Sequence, residues 1–262
     1  MTSGSPTIDY FLSSDLMEPI NGQKHYSEKL IRLPNLGFSI SHPDLPTDDG
    51  QRSDFQLKDD AIIYLCSQCL LKYLPQHDYI FPSIAQSNQL SQFVFFDSFL
   101  GPVITDSFIK RLGQTFAEFG LDYQQYCVFL RQIEPQKYLQ LNLLADVFLD
   151  TFSFSGGLTT LDAIACGLPI VTCPGEIMRA RQSYGMLQMI GVTETIVETE
   201  AEYIEIAVRL GLNQEWRQKI SDKIITNKHR LFDDQECVKG LESFFEEAVQ
   251  KYSKIKLISG DL

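Results

Sequence analysis

Five short apolar runs, spaced along residues 61–174, constrain the fold of this chain more than any other feature. Each run is nearly continuous in apolar character, which is typical of strands buried on both faces of a sheet. Amphipathic helical patterns separate them, and a weaker run, ETIVET, follows at 194–199. The alternation of strand and helix predicts an α/β fold with a doubly wound parallel sheet of the Rossmann type. The runs are AIIYLCS (61–67), QFVFFDS (92–98), YCVFLRQI (126–133), DVFLDTF (146–152) and LPIVTCP (168–174).

The first sixty residues have a different character. The stretch LPNLGFSISHPDLPTDDGQRSD (33–54) is rich in Pro, Asp, Ser and Gly and shows little periodicity, which indicates a loop or linker. We therefore predict a short irregular segment at 1–57 and an α/β domain at 58–262. Three helical patterns after residue 200 are expected to complete that domain.

Composition narrows the function classes. The formal charge of −12 comes from 34 acidic and 22 scattered basic residues, so most of the surface would repel a nucleic acid. No stretch approaches the roughly 20 apolar residues of a membrane span, and the N-terminal residues lack the basic flank and apolar centre of a secretory signal. We expect a cytoplasmic protein that binds neither nucleic acid nor membrane.

The six cysteines are few for a chain of 262 residues, and several lie inside apolar runs. Cys66 and Cys69 form a CxxC pair, but no second pair or histidine cluster accompanies it, so we favour reduced thiols over a zinc or redox site. No metal is expected.

The stretch SGGLTTLDAIACG (155–167) follows the fourth predicted strand directly. Gly156 and Gly157 permit positive backbone torsions and a close approach of a ligand to the main chain. Thr159 and Thr160 add hydroxyl donors at the start of the next helix, whose free amides and dipole favour an anion such as a diphosphate. The local pattern fits equally well a plain capped helix after a glycine turn. In doubly wound sheets this edge is where ligands bind.

Asp162, two or three residues into the same helix, could accept hydrogen bonds from a ribose diol. An acidic side chain near a helix N-terminus is also favourable for the dipole alone, so the residue by itself does not decide between the two interpretations.

At this point a resemblance becomes specific. The stretch GGLTTLDAIACGLPIVTCPGEIMRARQSYGML (156–187), together with DYFLSSDLMEP (9–19), HYSEKLIRLPNL (25–36) and LADVFLDTFS (144–153), resembles the protein O-linked N-acetylglucosamine transferase and SPINDLY family, especially its bacterial members. The similarity covers nearly the whole chain and corresponds to the C-terminal part of the family. It implies the Rossmann-like C-terminal half of a GT-B glycosyltransferase, which family members normally carry after tetratricopeptide repeats.

The resemblance also implies roles for single residues. Thr159 and Thr160, which follow Gly157, match the family's phosphate-binding threonines, and Asp162 matches the acid at the ribose. Lys72 matches a lysine that neutralises the diphosphate leaving group, a task that suits a fixed cation because charge develops there in the transition state. Gln68 matches a glutamine just before that lysine. Tyr138 falls where an aromatic or imidazole side chain stacks on the base.

Each of these residues also has a structural interpretation: Lys72 as a solvated residue at a helix start, Tyr138 as amphipathic core, Gln68 as a polar group at a strand end. One departure from the family bears on affinity. The family usually has His or Asn before the threonine pair, whereas this chain has Leu158, which donates no side-chain hydrogen bond. We expect weaker phosphate binding as a result.

Two functions remain open. The first is a glycosyltransferase domain that binds UDP-N-acetylglucosamine, or the GDP-fucose used by plant SPINDLY, for transfer to Ser or Thr hydroxyls of proteins. The second is a catalytically silent or split nucleotide-sugar-binding module, whose partner would be a polypeptide carrying the N-terminal, acceptor-side half. A scaffold that has lost nucleotide binding is a third alternative. A nucleotide sugar and a protein acceptor or complementary half are thus the expected partners.

Overall fold

The structure is a computed structural model that describes residues 2–48 and 50–259. Met1, Asp49 and 260–262, which fall within the two predicted segments, lie outside the described residues. In the N-terminal segment, β1 (Tyr10–Ser14) and β2 (Lys29–Leu33) pair in parallel as a small separate sheet. The sequence analysis predicted no strands before residue 61, so both strands were missed.

The five apolar runs form one parallel sheet, as predicted, in the spatial order β5–β4–β3–β6–β7. The chain winds outward from β3 through β4 to β5, returns across the sheet, and continues from β6 to β7. This doubly wound order puts the topological switch point between β3 and β6. The strands are β3 (Ile62–Cys66), β4 (Ser91–Phe96), β5 (Cys127–Leu130), β6 (Val147–Leu149) and β7 (Ile170–Val171). The weaker run at 194–199 contributes only an isolated bridge between Thr172 and Ile196.

Helices fill the connections and continue after the last strand. They are α1 (Ile80–Ser87), α2 (Pro102–Glu118), α3 (Tyr123–Tyr126), α4 (Pro135–Leu144), α5 (Leu158–Ala165), α6 (Gln182–Met189), α7 (Glu200–Leu212), α8 (Gln214–Asn227) and α9 (Gln235–Ser259). Local signals explain several ends: Pro102 begins α2, Gly120 with φ of 72° follows its end, and Thr199 and Glu202 form a capping box at the start of α7.

The core lies on both faces of the sheet. All six residues of β4 are buried, and the side chains of Phe93 and Phe95 pack edge-to-face on Phe81 of α1 with ring centroids 5.4 and 5.2 Å apart. Each fully buried Phe contributes about 1.5–3 kcal/mol of hydrophobic stabilisation. Burial on both faces explains why these strands are read so easily from sequence.

The N-terminal segment packs on this core. Met17, Leu36, Phe55 and Leu57 belong to the same buried apolar cluster as the sheet. The Asn35 side chain reaches across to Asp234 at 3.0 Å. The segment therefore covers one side of the α/β domain, and the domain boundary at residue 58 stays a prediction.

Among the helices of the described residues, none is both long and apolar enough to cross a membrane.

Candidate functional site

A cavity of about 390 Å³ opens at the carboxyl ends of the strands, beside the switch point. Parallel strands that diverge at a switch point leave a crevice there, which is where open α/β sheets bind ligands. Its walls come from the segments that follow β3, β4, β5 and β6. The lining residues are Ser67, Gln68, Cys69, Leu70, Phe96, Asp97, Ser98, Phe99, Gln132, Ile133, Pro135, Tyr138, Thr159 and Asp162.

The N-terminus of α5 borders this cavity. Helix α5 starts at Leu158, and its N-cap residue, Gly157, has no side chain that could cap it. The amides of Thr160 and Leu161 donate to the Gly157 carbonyl at 3.1 Å each. Within the described residues, the amides of Leu158 and Thr159 have no acceptor. These two donors, at the positive end of the helix dipole, are available to an anion.

Gly156 is required for a reason other than its torsion angles. Neither Gly156 nor Gly157 has positive φ, and Gly157 adopts φ of −100°, so the expected use of left-handed torsions is corrected. A Cβ on Gly156 would lie 2.7 Å from Gln68 Nε2 and 2.9 Å from Thr159 Oγ1, and it would also collide with Thr160. Only glycine leaves room for three polar side chains to meet here.

A chain of hydrogen bonds joins Lys72 to Thr159 through Gln68. Lys72 Nζ donates to Gln68 Oε1 at 2.8 Å, and Gln68 Nε2 donates to Thr159 Oγ1 at 2.6 Å. Because Oγ1 of Thr159 accepts a hydrogen bond from the side-chain amide of Gln68, the hydroxyl proton of Thr159 can be donated to a ligand. Lys72, Gln68 and Thr159 are all residues that the sequence analysis selected. The structure brings them together although 91 positions separate Gln68 from Thr159.

The Lys72 ammonium is partly buried at the end of this chain. It also donates to the Ser155 carbonyl at 3.1 Å and lies 4.2 Å from the centroid of the Phe154 ring. Burial lowers the pKa of Lys72, while the negative charge of Asp150 acts in the opposite direction. A cation that is incompletely solvated in this way gains more from a bound anion than a fully exposed one.

Thr160 occupies a different environment from Thr159. Its side chain is fully buried, and its hydroxyl lies 2.8 Å from the Ser183 hydroxyl on α6. Successive residues on a helix are rotated by about 100°, so one threonine faces the cavity while the next faces the core. A phosphate could reach Thr160 only through its backbone, and that amide already donates to Gly157.

Sequence reasoning missed Asp150, which holds the loop before α5. Its buried carboxylate accepts hydrogen bonds from the Gly156 amide at 2.7 Å and from the hydroxyls of Ser155 at 2.6 Å and Thr172 at 2.7 Å. Burial raises the pKa of Asp150, and these donors oppose that shift. The available signal was a carboxylate that ends a buried apolar run, where an unpaired charge would be costly.

Asp162, one turn after Thr159 on α5, and Tyr138 of α4 also line the cavity. The Asp162 carboxylate is half-buried and has no hydrogen-bond or ion-pair partner in the described part of the chain, and burial raises its pKa to about 6. The Tyr138 hydroxyl lies 2.8 Å from Ser67 Oγ, and its ring packs edge-on against Phe96. Both residues are therefore placed where a nucleoside could meet them, and burial raises the pKa of Tyr138.

The CxxC pair does not form a site of its own. Cys66 is buried in β3, whereas Cys69 lines the cavity, and both thiols are free. Among the residues described, no group of three or more His, Cys, Asp or Glu side chains is arranged to hold a metal ion.

Comparison with known proteins identifies the family. The family model for glycosyl transferase family 41 matches residues 49–241, which is most of the chain. The chain belongs to glycosyl transferase family 41. The assignment confirms the resemblance drawn from the sequence. All of the residues that line the cavity, and the loop that leads into α5, lie within the matched residues.

Curated relatives of this family 41 chain are considerably longer. It is 24% identical to a probable UDP-N-acetylglucosamine–peptide N-acetylglucosaminyltransferase SPINDLY from Solanum lycopersicum, over 96% of this chain and 27% of that protein. It is 27% identical to the corresponding SEC protein from Arabidopsis thaliana, over 94% of this chain and 25% of that protein. The chain thus spans about a quarter of the length of these relatives.

Solved structures show the same fold. A mutant O-GlcNAc transferase from Thermobaculum terrenum superposes with a TM-score of 0.78 at 22% identity, over 95% of this chain and 46% of that one. The pneumococcal O-GlcNAc transferase GtfA, solved with UDP and GlcNAc, gives a TM-score of 0.56 at 14% identity, over 91% of this chain and 45% of that one. At these identities the likeness establishes the GT-B type of α/β fold.

Proposed function

We propose that this chain is the donor-binding half of a family 41 glycosyltransferase, which binds UDP-N-acetylglucosamine for transfer to Ser or Thr hydroxyls of proteins. One observation carries the proposal: Lys72, Gln68 and Thr159 form a continuous polar chain beside a cavity that also holds Asp162 and Tyr138. A diphosphate at the polar chain and a nucleoside at the other two residues would occupy one continuous space.

The chemistry of each residue assigns it a role in donor binding. The amides of Leu158 and Thr159 and the Thr159 hydroxyl donate to the diphosphate, and the Asp162 carboxylate accepts from the ribose diol. Tyr138 contributes an aromatic surface for the base. In the transfer step the acceptor hydroxyl oxygen attacks the anomeric carbon and the bond to the diphosphate breaks, so negative charge grows on the leaving oxygen. The hydroxyl proton passes to the leaving diphosphate or to solvent.

Lys72 is the residue that we assign to this leaving group. Its ammonium stabilises the transition state more than the ground state because the charge on the diphosphate increases as the bond breaks. Gln68 positions the ammonium and the Thr159 hydroxyl towards one point. Since the protein supplies this cation and two helix amides, we propose that donor binding needs no metal ion.

The choice of UDP-N-acetylglucosamine is supported by the names of the two curated relatives and by the UDP and GlcNAc in the pneumococcal structure. GDP-fucose is the competing donor. Calorimetric titration of the chain with UDP, UDP-N-acetylglucosamine, GDP and GDP-fucose, each with EDTA and with Mg²⁺, tests both the donor and the metal independence.

The Lys72→Ala variant tests the site itself. A hydrogen bond to a charged group contributes about 1.5–3 kcal/mol, so we expect UDP affinity to fall by about 10-fold to 150-fold. Lys110→Ala removes an exposed lysine from α2 and is the matched control, with unchanged affinity expected. Unchanged UDP binding in Lys72→Ala would refute the assignment, and no binding of any nucleotide to the wild type would refute the function.

A transfer assay separates an active domain from a silent or split module. A radiolabelled donor and a Ser-rich peptide are incubated with the chain alone and with a polypeptide that supplies the other half of a family 41 enzyme. Positioning of two reactants accounts for about 7–11 kcal/mol of barrier lowering, so transfer is expected to depend on that second half. If the chain binds the nucleotide sugar but no transfer occurs, either alone or with the second half, the result would support the silent module.

A further inference from the structure

Two cations lie beside one exposed aromatic ring near the N-terminus of α5. Lys72 Nζ lies 4.2 Å, and the guanidinium carbon of Arg179 lies 6.0 Å, from the centroid of the Phe154 ring, which is 43% exposed. Lys72 follows β3, Phe154 lies between β6 and α5, and Arg179 belongs to a short 3-10 helix after β7. Three segments that are distant in sequence therefore converge at the carboxyl edge of the sheet.

The backbone of Arg179 is fixed to the loop that leads into α5. Its carbonyl accepts a hydrogen bond from the Ser155 amide at 2.9 Å and a longer one from Gln182 Nε2 at 3.4 Å. Because Ser155 is itself bonded to the Asp150 carboxylate, the Cα of Arg179 is held at a set place beside the diphosphate-binding loop. The position of the guanidinium then depends on the side-chain torsions alone.

The guanidinium of Arg179 has no carboxylate within ion-pair distance among the described residues, and the residue is exposed. Arg181, two positions later, differs. Its guanidinium donates to the carbonyls of Met17 and Gly175 and lies over the Tyr184 ring at 4.3 Å. Arg181 is therefore a structural residue, whereas Arg179 keeps its five donors available to a ligand.

Two positive groups beside the same ring repel each other, and the aromatic face offsets only part of that repulsion. The charge of the buried Asp150 acts on the Lys72 ammonium, but no carboxylate in the described part of the chain lies within ion-pair distance of Lys72 or Arg179. An anion with more than one charge, bound near both cations, would remove the repulsion. The guanidinium fork also matches the oxygen atoms of a phosphate in a bidentate geometry.

We propose that Arg179 is a second diphosphate-binding cation, set beside Lys72 by the Phe154 ring, and that it makes the site selective for nucleoside diphosphates over monophosphates. This inference rests on the proposed function, since it concerns the same donor site. A monophosphate held by the α5 amides would leave one of the two cations without a partner, whereas a diphosphate engages both.

The test compares diphosphate and monophosphate affinities in matched charge variants. UDP, UMP, GDP and GMP are titrated into the wild type, Arg179→Gln, Arg179→Lys and Arg230→Gln. Arg230 is exposed in the 3-10 helix Lys228–Leu231, and its substitution changes the net charge by the same amount as Arg179→Gln. Circular dichroism confirms that each variant is folded.

In Arg179→Gln we expect the ratio of diphosphate to monophosphate affinity to fall about 10-fold, the effect of one charge-assisted hydrogen bond. Arg179→Lys should keep part of the ratio, and Arg230→Gln should leave it unchanged. If the wild type binds a diphosphate and Arg179→Gln has the same ratio of diphosphate to monophosphate affinity, this inference is overturned but the proposed function stands. A wild type that binds neither UDP nor GDP would overturn both.

Discussion

Replacing Gly156 by alanine would test whether the polar chain from Lys72 to Thr159 controls both stability and nucleotide affinity. The added Cβ would lie 2.7 Å from Gln68 Nε2 and 2.9 Å from Thr159 Oγ1, and closer still to Thr160 Oγ1. Thr160 cannot yield easily because its hydroxyl is buried against Ser183. Gln68 and Thr159 must therefore move apart, which breaks the 2.6 Å hydrogen bond between them.

The magnitude follows from these contacts. Overpacking costs about 1–3 kcal/mol, and a lost hydrogen bond adds about 1 kcal/mol. At about 2–4 °C per kcal/mol for a domain of this size, the melting temperature should fall by about 4–16 °C. Because Gln68 would no longer direct the Lys72 ammonium and the Thr159 hydroxyl towards one point, UDP affinity should fall at least about 10-fold.

Differential scanning calorimetry and isothermal titration with UDP measure the two effects. The matched control is Gly113→Ala in α2, where the atoms nearest to the new Cβ belong to the Tyr123 ring, the first of them at 3.1 Å. That variant should bind UDP as the wild type does. A Gly156→Ala protein with wild-type melting temperature and wild-type UDP affinity would refute the reasoning, because three polar groups cannot meet around a methyl group at these distances.

Two further predictions concern the cavity. Because burial raises the pKa of Asp162 to about 6, this carboxyl should contribute a fall of about 1 kcal/mol in the free energy of unfolding between pH 4 and pH 6.5, a figure reduced for its partial exposure. UDP affinity should rise over the same interval as the carboxylate forms. Asp162→Asn should lack the Asp162 contribution to both trends, apart from the titration of UDP itself, as measured by urea unfolding and calorimetry at several pH values; identical slopes in the two proteins would contradict the assignment. Leu158, 66% exposed as the first residue of α5, supplies no side-chain donor. Leu158→Asn should therefore raise UDP affinity about fivefold, the effect of one hydrogen bond, while Leu158→Ala should not; equal affinities in the two variants would show that the added amide makes no contact.

Much of the fold could be predicted from the sequence. The five main strands are continuous apolar runs because both faces of the sheet are covered, so their composition alone identifies them. Strands β1 and β2 were not predicted, because short half-exposed strands leave a weak pattern and their pairing joins residues 19 positions apart, as with Tyr10 and Lys29. The glycine and threonine stretch was recognised at the end of β6 because its residue types are local features.

The candidate site could be predicted only in part. The residues Lys72, Gln68, Thr159 and Asp162 were chosen from sequence, and the structure gathers them around one polar chain and one cavity. The buried carboxylate of Asp150 was not chosen, because nothing in a sequence shows which side-chain or backbone donors will surround an acid.

The sequence by itself determined the alternation of the five main strands with helices and the glycine- and hydroxyl-rich turn before α5, because both depend on the spacing of apolar, glycine and hydroxyl residues along the chain. Only the tertiary structure decided that Thr159 faces the cavity while Thr160 faces Ser183, and that Lys72 and Arg179 lie near the same ring. The rotation of α5 about its axis is fixed by how its apolar face packs on the sheet. That packing sums contacts between segments far apart in sequence, and no local pattern encodes it.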